Sequence, residues 1–91
     1  MPASFRREKV TTEPKAIASY NANRKLLMVI NESEVTVYIS KDPMNIVEIG
    51  IPLYPFETIV FDVADADEPE SSFYAQTSEG YAIVRIYEAL V

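Results

Sequence analysis

The chain has no cysteine and no histidine among its 91 residues. Without cysteine, neither a disulfide nor a thiolate metal site can form. Histidine is the commonest metal ligand and the commonest general base, so its absence counts against a metalloprotein and against an enzyme. The sequence therefore predicts a non-enzymatic protein with no catalytic residues, no cofactor and no metal.

Long apolar runs are also missing. The longest one, Leu26 to Ile30, is far shorter than the about 20 residues that a membrane-spanning helix needs. The polar start at Met1 is followed by no hydrophobic signal core, so we expect a soluble protein without an export signal.

Positive charge is abundant only at the beginning of the chain. Residues 1 to 25 hold six of the eight Lys and Arg residues and two of the 14 acidic ones, so they carry +4 and the remainder carries −10. Pro2 and Pro14 bracket a polar segment with few apolar groups. We predict that residues 1 to 14 form an extended basic arm and residues 15 to 91 a single domain, and that opposite charge favours exchange of arms between identical subunits. The total of −6 argues against nucleic acid as a partner.

From Lys15 onward, short apolar runs alternate with turn residues, which is typical of an all-β protein. We expect a small antiparallel β-sandwich or a jelly-roll-like barrel, with no helix longer than about one turn. The predicted strands are Ala16 to Tyr20, Lys25 to Asn31, Glu34 to Ser40, Ile51 to Tyr54, Glu57 to Val63, Ser72 to Thr77 and Tyr81 to Leu90.

Two of these strands suggest how the sheets are buried. The run from Leu26 to Ile30 is apolar at every position, which predicts a central strand covered on both faces. In the last strand the alternate residues Ala82, Val84 and Ile86 predict a core-facing side.

The opposite side of the last strand is a candidate interface. It carries Tyr81, Ile83 and Tyr87, and tyrosine is favoured where one end of a side chain is dry and the other wet. An apolar residue between two tyrosines would form an exposed patch of a kind that monomers avoid. With the basic arm, the candidate interface residues are Arg6, Arg7, Lys9, Tyr81, Ile83 and Tyr87.

The densest acidic cluster is the stretch that contains Asp62, Asp65, Asp67, Glu68 and Glu70. Carboxylates can bind calcium, but the spacing lacks the glycine and the distal glutamate of an EF-hand loop. We interpret the stretch as a solvated loop whose charges limit edge-to-edge association.

Three segments resemble a pattern found in small accessory proteins of tailed-phage virions. The first runs from Asn23 to Ile39. It is similar to a pattern of N-x-x-R, an apolar strand, an N-x-S turn and a strand ending V-Y-I, the last two being Asn31-Glu32-Ser33 and Val37-Tyr38-Ile39 here. The second is Gly50 to Glu57, which is similar to a G-I-x-L-x-P-G-E turn, with Phe56 in place of the glycine. The third joins Phe73-Tyr74-Ala75 to the last strand, so that the resemblance covers about residues 20 to 88.

This resemblance implies a virion structural component, most specifically a capsid decoration protein. Its partners would be the major capsid protein and further copies of itself, a trimer being favoured over a dimer, with no nucleic acid and no membrane. It would be assembled in the host cytoplasm and found on the capsid surface. The alternative is a carbohydrate- or receptor-binding module of a tail or head fibre, in which tyrosine rings would stack on sugars.

Overall fold

The computed structural model describes residues 3–65 and 68–91, and over these residues the chain is all-β. Eight strands follow one another along the chain: β1 (Ala3–Val10), β2 (Lys15–Ala18), β3 (Arg24–Asn31), β4 (Val37–Ser40), β5 (Ile51–Leu53), β6 (Thr58–Asp62), β7 (Phe73–Thr77) and β8 (Ala82–Leu90). One helical turn, α1 (Ile46–Ile49), lies between β4 and β5, and a short 3-10 turn follows β6 at Val63–Asp65.

The strands form two antiparallel sheets that pack face to face. The first sheet has the order β1-β8-β3-β6, and the second has the order β2-β7-β4-β5. This arrangement confirms the predicted all-β class and the sandwich. Within the described residues, no helix is both long enough and apolar enough to span a membrane.

Alternate residues of nearly every strand point into one core between the sheets, as the period of two requires. Ala82, Val84 and Ile86 have no exposed surface, which confirms the inward side predicted for β8. The other core residues come from both sheets: Val10, Ile17, Ala18, Leu27, Val29, Val37, Ile39, Leu53, Phe61, Phe73 and Ala75.

In the described part of the chain, residues 3 to 14 do not form the predicted extended arm. Residues 3 to 10 form β1, which pairs with β8 from Ala3 opposite Ala89 to Val10 opposite Ala82. Val10 is fully buried, so this segment contributes to the domain's own core. This strand is hard to predict from the sequence, because Arg6, Arg7 and Lys9 hide its alternation of polar and apolar residues.

The prediction for the run from Leu26 to Ile30 was half right. β3 lies between β8 and β6, and Leu27 and Val29 are fully buried. Leu26, Met28 and Ile30 point to the outer side of the sheet and are only half-buried. No second layer covers that side within the described part of the chain.

The turn between β5 and β6 shows the effect of the missing glycine. Glu57 N donates a hydrogen bond to the Tyr54 carbonyl oxygen, at 3.1 Å, and closes a four-residue turn. Phe56, at its third position, has φ of 62°, a region that favours glycine. The turn therefore holds a bulky side chain at a strained backbone angle.

Candidate interaction surface

The outer side of the first sheet carries a continuous row of apolar side chains. Phe5 lies opposite Tyr87, Tyr87 opposite Met28, and Met28 opposite Val60. Residues opposite one another in antiparallel strands have their side chains on the same face. The row, called here the apolar row, therefore crosses all four strands of the sheet.

The two ends of the apolar row reach furthest into solvent. Phe5 is 72% exposed and Val60 is 41% exposed, whereas Tyr87 and Met28 between them are half-buried. The Phe5 and Tyr87 rings contact each other with their centroids 4.6 Å apart. An exposed phenylalanine packed against a half-buried tyrosine at a sheet surface has the composition of an interface centre.

Arginine side chains border the apolar row on one side. Arg7 lies opposite Arg85 in the β1–β8 pair, and like charges in that position repel. Both interact with Glu32, whose Oε1 is 3.6 Å from Arg7 Nε and 3.2 Å from Arg85 Nε. One carboxylate between two guanidinium groups leaves this border positively charged. A shallow cleft of about 250 Å³ is lined by Phe5, Arg6, Arg7 and Arg85.

A second cation lies further along the same face. Lys9 Nζ is 4.7 Å from the centre of the Tyr81 ring, a cation–π contact. Ile83, directly opposite Lys9, is half-buried, and its backbone N–H donates to Ser33 Oγ at 2.8 Å. Five of the six predicted interface residues thus share one face: Arg7, Lys9, Tyr81, Ile83 and Tyr87.

Arg6 is the exception among the predicted interface residues. It pairs with the buried Ile86 and so points to the inner side of the sheet. Its Nη2 donates to the Ile17 carbonyl oxygen and lies 3.1 Å from Glu88 Oε1, and its Nε is 3.3 Å from Glu8 Oε2. The charge of Arg6 is therefore paired with Glu8 and Glu88 of the same domain, whereas we expected it to attract a neighbouring subunit.

An ionic cluster occupies the inner side of the sandwich at this end. Glu88 Oε1 is also 3.4 Å from Arg24 Nη2, and Lys15 Nζ is 3.0 Å from Glu8 Oε1. We call the five residues Glu8, Lys15, Arg6, Glu88 and Arg24 the inner ion cluster. Three cations from the basic beginning of the chain, Arg6, Lys15 and Arg24, therefore pair with two carboxylates of the same domain.

Arg24 is the most deeply buried member of the inner ion cluster, with 3% of its side chain exposed. Its two terminal nitrogens donate to the carbonyl oxygens of Pro69 at 3.1 Å, Ser71 at 3.0 Å and Ser19 at 2.7 Å. Its Nε is buried and has no hydrogen-bond partner among residues 3–65 and 68–91. The burial of Arg24 could not be predicted from the sequence, because nothing in the pattern of residues around it distinguishes Arg24 from its exposed neighbour Lys25.

The acidic stretch after β6 shows no metal centre in its described part. Among residues 3–65 and 68–91, no group of three or more carboxylates is placed to hold a metal ion. Glu68 Oε1 instead accepts a bond from Lys41 Nζ at 3.0 Å. Asp67, one of the acids considered as a ligand, lies outside the described residues.

The tyrosines considered for sugar stacking line neither of two clefts in the described part of the chain. The cleft beside the apolar row is lined by Phe5 and arginines, and a second cleft of about 270 Å³ is lined mainly by aliphatic side chains and two phenylalanines. Neither is lined by any of the six tyrosines, all of which lie in the described part of the chain.

Comparison with known proteins gives a likeness of fold. No protein-family model matches the chain, and no curated protein matches it. A solved structure of Bacillus endospore appendages, described as a novel family of disulfide-linked pili, superposes on it with a TM-score of 0.51. The match covers 99% of this chain and 87% of that chain, at 10% sequence identity. The likeness concerns the arrangement of strands.

Proposed function

We propose that the chain is a non-enzymatic structural protein of a phage virion that associates with itself and with the major capsid protein. The observation that carries the proposal is the apolar row, which ends in the 72% exposed Phe5 and is bordered by Arg7 and Arg85. Aromatic and arginine side chains are enriched where proteins bind one another. The phage-like turns and strands described above supply the more specific assignment to capsid decoration.

The apolar row on an open sheet face suits the task of a capsid decoration protein. A decoration protein stabilises a shell by burying surface against several neighbouring subunits, so each subunit is held by more than one contact. A flat sheet face suits this task better than a concave site does. Burying the apolar row would supply hydrophobic stabilisation, and the positive border would orient the protein on an acidic surface.

The fibre module that binds carbohydrate has less support, because the tyrosines line neither of the two clefts. A second candidate is a subunit of a bacterial surface filament, favoured by the fold likeness to the endospore pilus. That pilus is described as disulfide-linked, whereas this chain contains no cysteine. A filament of this protein would have to be held together by noncovalent contacts.

Binding to purified, undecorated phage heads tests the proposal. The wild type is expected to co-sediment with the heads, and Phe5→Ser is expected to weaken binding at least about tenfold, since it removes the most exposed ring of the apolar row. Tyr20→Ser is the matched control, because Tyr20 is 66% exposed and belongs to no strand.

Equal binding by Phe5→Ser and Tyr20→Ser would exclude the outer face as the contact. Absence of wild-type binding would exclude capsid decoration. Filaments visible by electron microscopy in concentrated protein alone would favour the second candidate.

A further inference from the structure

Each sheet of the sandwich ends in two edge strands, and three of the four edges are protected. Edge strands with unpaired backbone groups attract other strands, and proteins protect them with charge, proline, bulges or short length. β5 has three residues and contains Pro52, and β2 has four residues and a register shift between Ala16 and Ala18. β1 carries four charged residues, Arg6, Arg7, Glu8 and Lys9.

β6 has none of these protections along most of its length. Its sequence is Thr58-Ile59-Val60-Phe61-Asp62, with no proline and with its single charge at the last position. Its pairing with β3 is regular over all five residues. β6 is therefore the one edge in the described structure that is both regular and largely uncharged.

The hydrogen-bond pattern shows which backbone groups of this edge face solvent. Asn31 N donates to the Glu57 carbonyl oxygen at 2.9 Å, so the backbone of Glu57 faces β3. Backbone groups of successive strand residues alternate in direction, so those of Ile59 and Phe61 also face β3. The backbone N–H and C=O groups of Thr58 and Val60 consequently point away from the sheet.

Exposed aliphatic side chains surround the same edge. Ile49 is 68% exposed, Ile51 is 48% exposed and Val63, directly after β6, is 56% exposed. The cleft of about 270 Å³ lies here too, because its lining includes Ile51 of β5 and Phe61 of β6. The sandwich is thus open on the side where β5 and β6 are the two edges.

We propose that β6 pairs antiparallel with β6 of a second copy of this chain, around a two-fold axis at Val60. Val60 would then lie opposite Val60 of the partner subunit, and their outward backbone groups would exchange hydrogen bonds. Ile59 would lie opposite Phe61 of the partner subunit, both on the inner side. Thr58 would lie opposite Asp62 of the partner subunit, so no like charges meet.

A second copy fits this edge better than an unrelated strand for two reasons. The two-fold register matches inner-side with inner-side residues along the whole of β6, and it joins the two apolar rows end to end through Val60. The added strand would also extend the first sheet over the mouth of the open side, where Ile49 and Ile51 lie. The same surface of each subunit would form this contact, so two copies would complete it. The proposal therefore predicts a dimer as the smallest assembly, whereas the sequence favoured a trimer.

The two-fold axis at Val60 can be tested with paired charges. Val60→Lys and Val60→Glu each place like charges directly opposite one another, so each variant alone is expected to dissociate at least about tenfold more readily. An equimolar mixture is expected to restore a dimer containing one copy of each. Native mass spectrometry and sedimentation velocity report the masses, against 10.3 kDa for one chain. Val91→Lys is the matched control, because Val91 is a 69% exposed valine outside every strand.

Hydrogen exchange in the unaltered protein gives a second measurement that needs no variant. The amide hydrogens of Thr58 and Val60 are expected to exchange more slowly as protein concentration rises through the dimer range. A wild type that stays monomeric at about millimolar concentration would overturn the inference and leave capsid binding standing. A dimer that survives both single substitutions, or a mixture that forms no hetero-dimer, would place the contact elsewhere.

Discussion

Replacing Leu27 by alanine should remove a large share of the free energy of unfolding. Leu27 has no exposed surface and lies on β3, which has a hydrogen-bonded strand on each side. Truncating a buried leucine costs about 2 to 5 kcal/mol, because contacts are lost and the space left behind closes only in part. A domain of 91 residues has roughly 5 to 14 kcal/mol of stability in all.

Ile30 provides the matched control for Leu27, since both are aliphatic residues of β3. Ile30 points to the outer side of the sheet and is half-buried. Because alanine there leaves no enclosed space, Ile30→Ala should cost only about 1 kcal/mol. The difference between the two losses measures how much more the inner face of β3 contributes to stability than the outer face does.

Urea unfolding followed by far-ultraviolet circular dichroism measures both losses. The transition midpoint should fall much further for Leu27→Ala than for Ile30→Ala, with an unchanged dependence on denaturant concentration. Low protein concentration keeps association from adding to the apparent stability. A loss under about 1 kcal/mol for Leu27→Ala, or an equal loss at both sites, would refute the assignment of the core face.

Three further predictions concern the N-terminal strand, the inner ion cluster and the strained turn. Deleting residues 1 to 14 should lower the melting temperature sharply, because β8 loses a partner strand. An unchanged melting temperature would show that these residues are a free arm that the fold does not need. Arg24→Met should cost about 3 to 5 kcal/mol, because three backbone carbonyl oxygens lose their buried donor and Glu88 loses one of its two arginine partners. The control Arg85→Met on the surface should cost at most about 1 kcal/mol, and equal losses in denaturant titrations would contradict the burial of Arg24. Phe56→Gly should raise the free energy of unfolding by up to about 1 kcal/mol, since glycine relieves the positive φ. The control Tyr54→Gly should lower the free energy of unfolding. A lower melting temperature for Phe56→Gly in calorimetry would show that the turn is not strained.

The strands could be predicted wherever apolar residues alternate or form short runs. Seven of the eight strands, β2 to β8, lie within the predicted ranges or begin one residue earlier. The inward side of β8 follows from Ala82, Val84 and Ile86 alone. The sequence failed at β1, because a strand at the edge of a sheet can carry charge at most positions. Its membership of the sheet depends on pairing with β8, which lies almost the whole chain away.

The candidate surface was only partly predictable for a similar reason. Tyr81, Ile83 and Tyr87 could be grouped because they alternate along one strand. Phe5, Met28 and Val60 could not join them, since the register that brings the rows together is a property of strand pairing. Arg6 and Arg7 are adjacent in sequence, yet they point to opposite sides of the sheet, which the net charge of a segment cannot reveal.

The position of β8 in the first sheet has a consequence for the order in which the molecule folds. β8 lies between β1 and β3, although it follows both in the chain. While a ribosome has released only residues up to about 81, β1 has no strand to pair with, and β3 can pair only with β6. Sheet pairings between such distant segments form slowly, over about milliseconds to seconds, because long loops must close first. β1 and one edge of β3 therefore stay unpaired until β8 has been made, and unpaired strand edges of this kind are prone to aggregation.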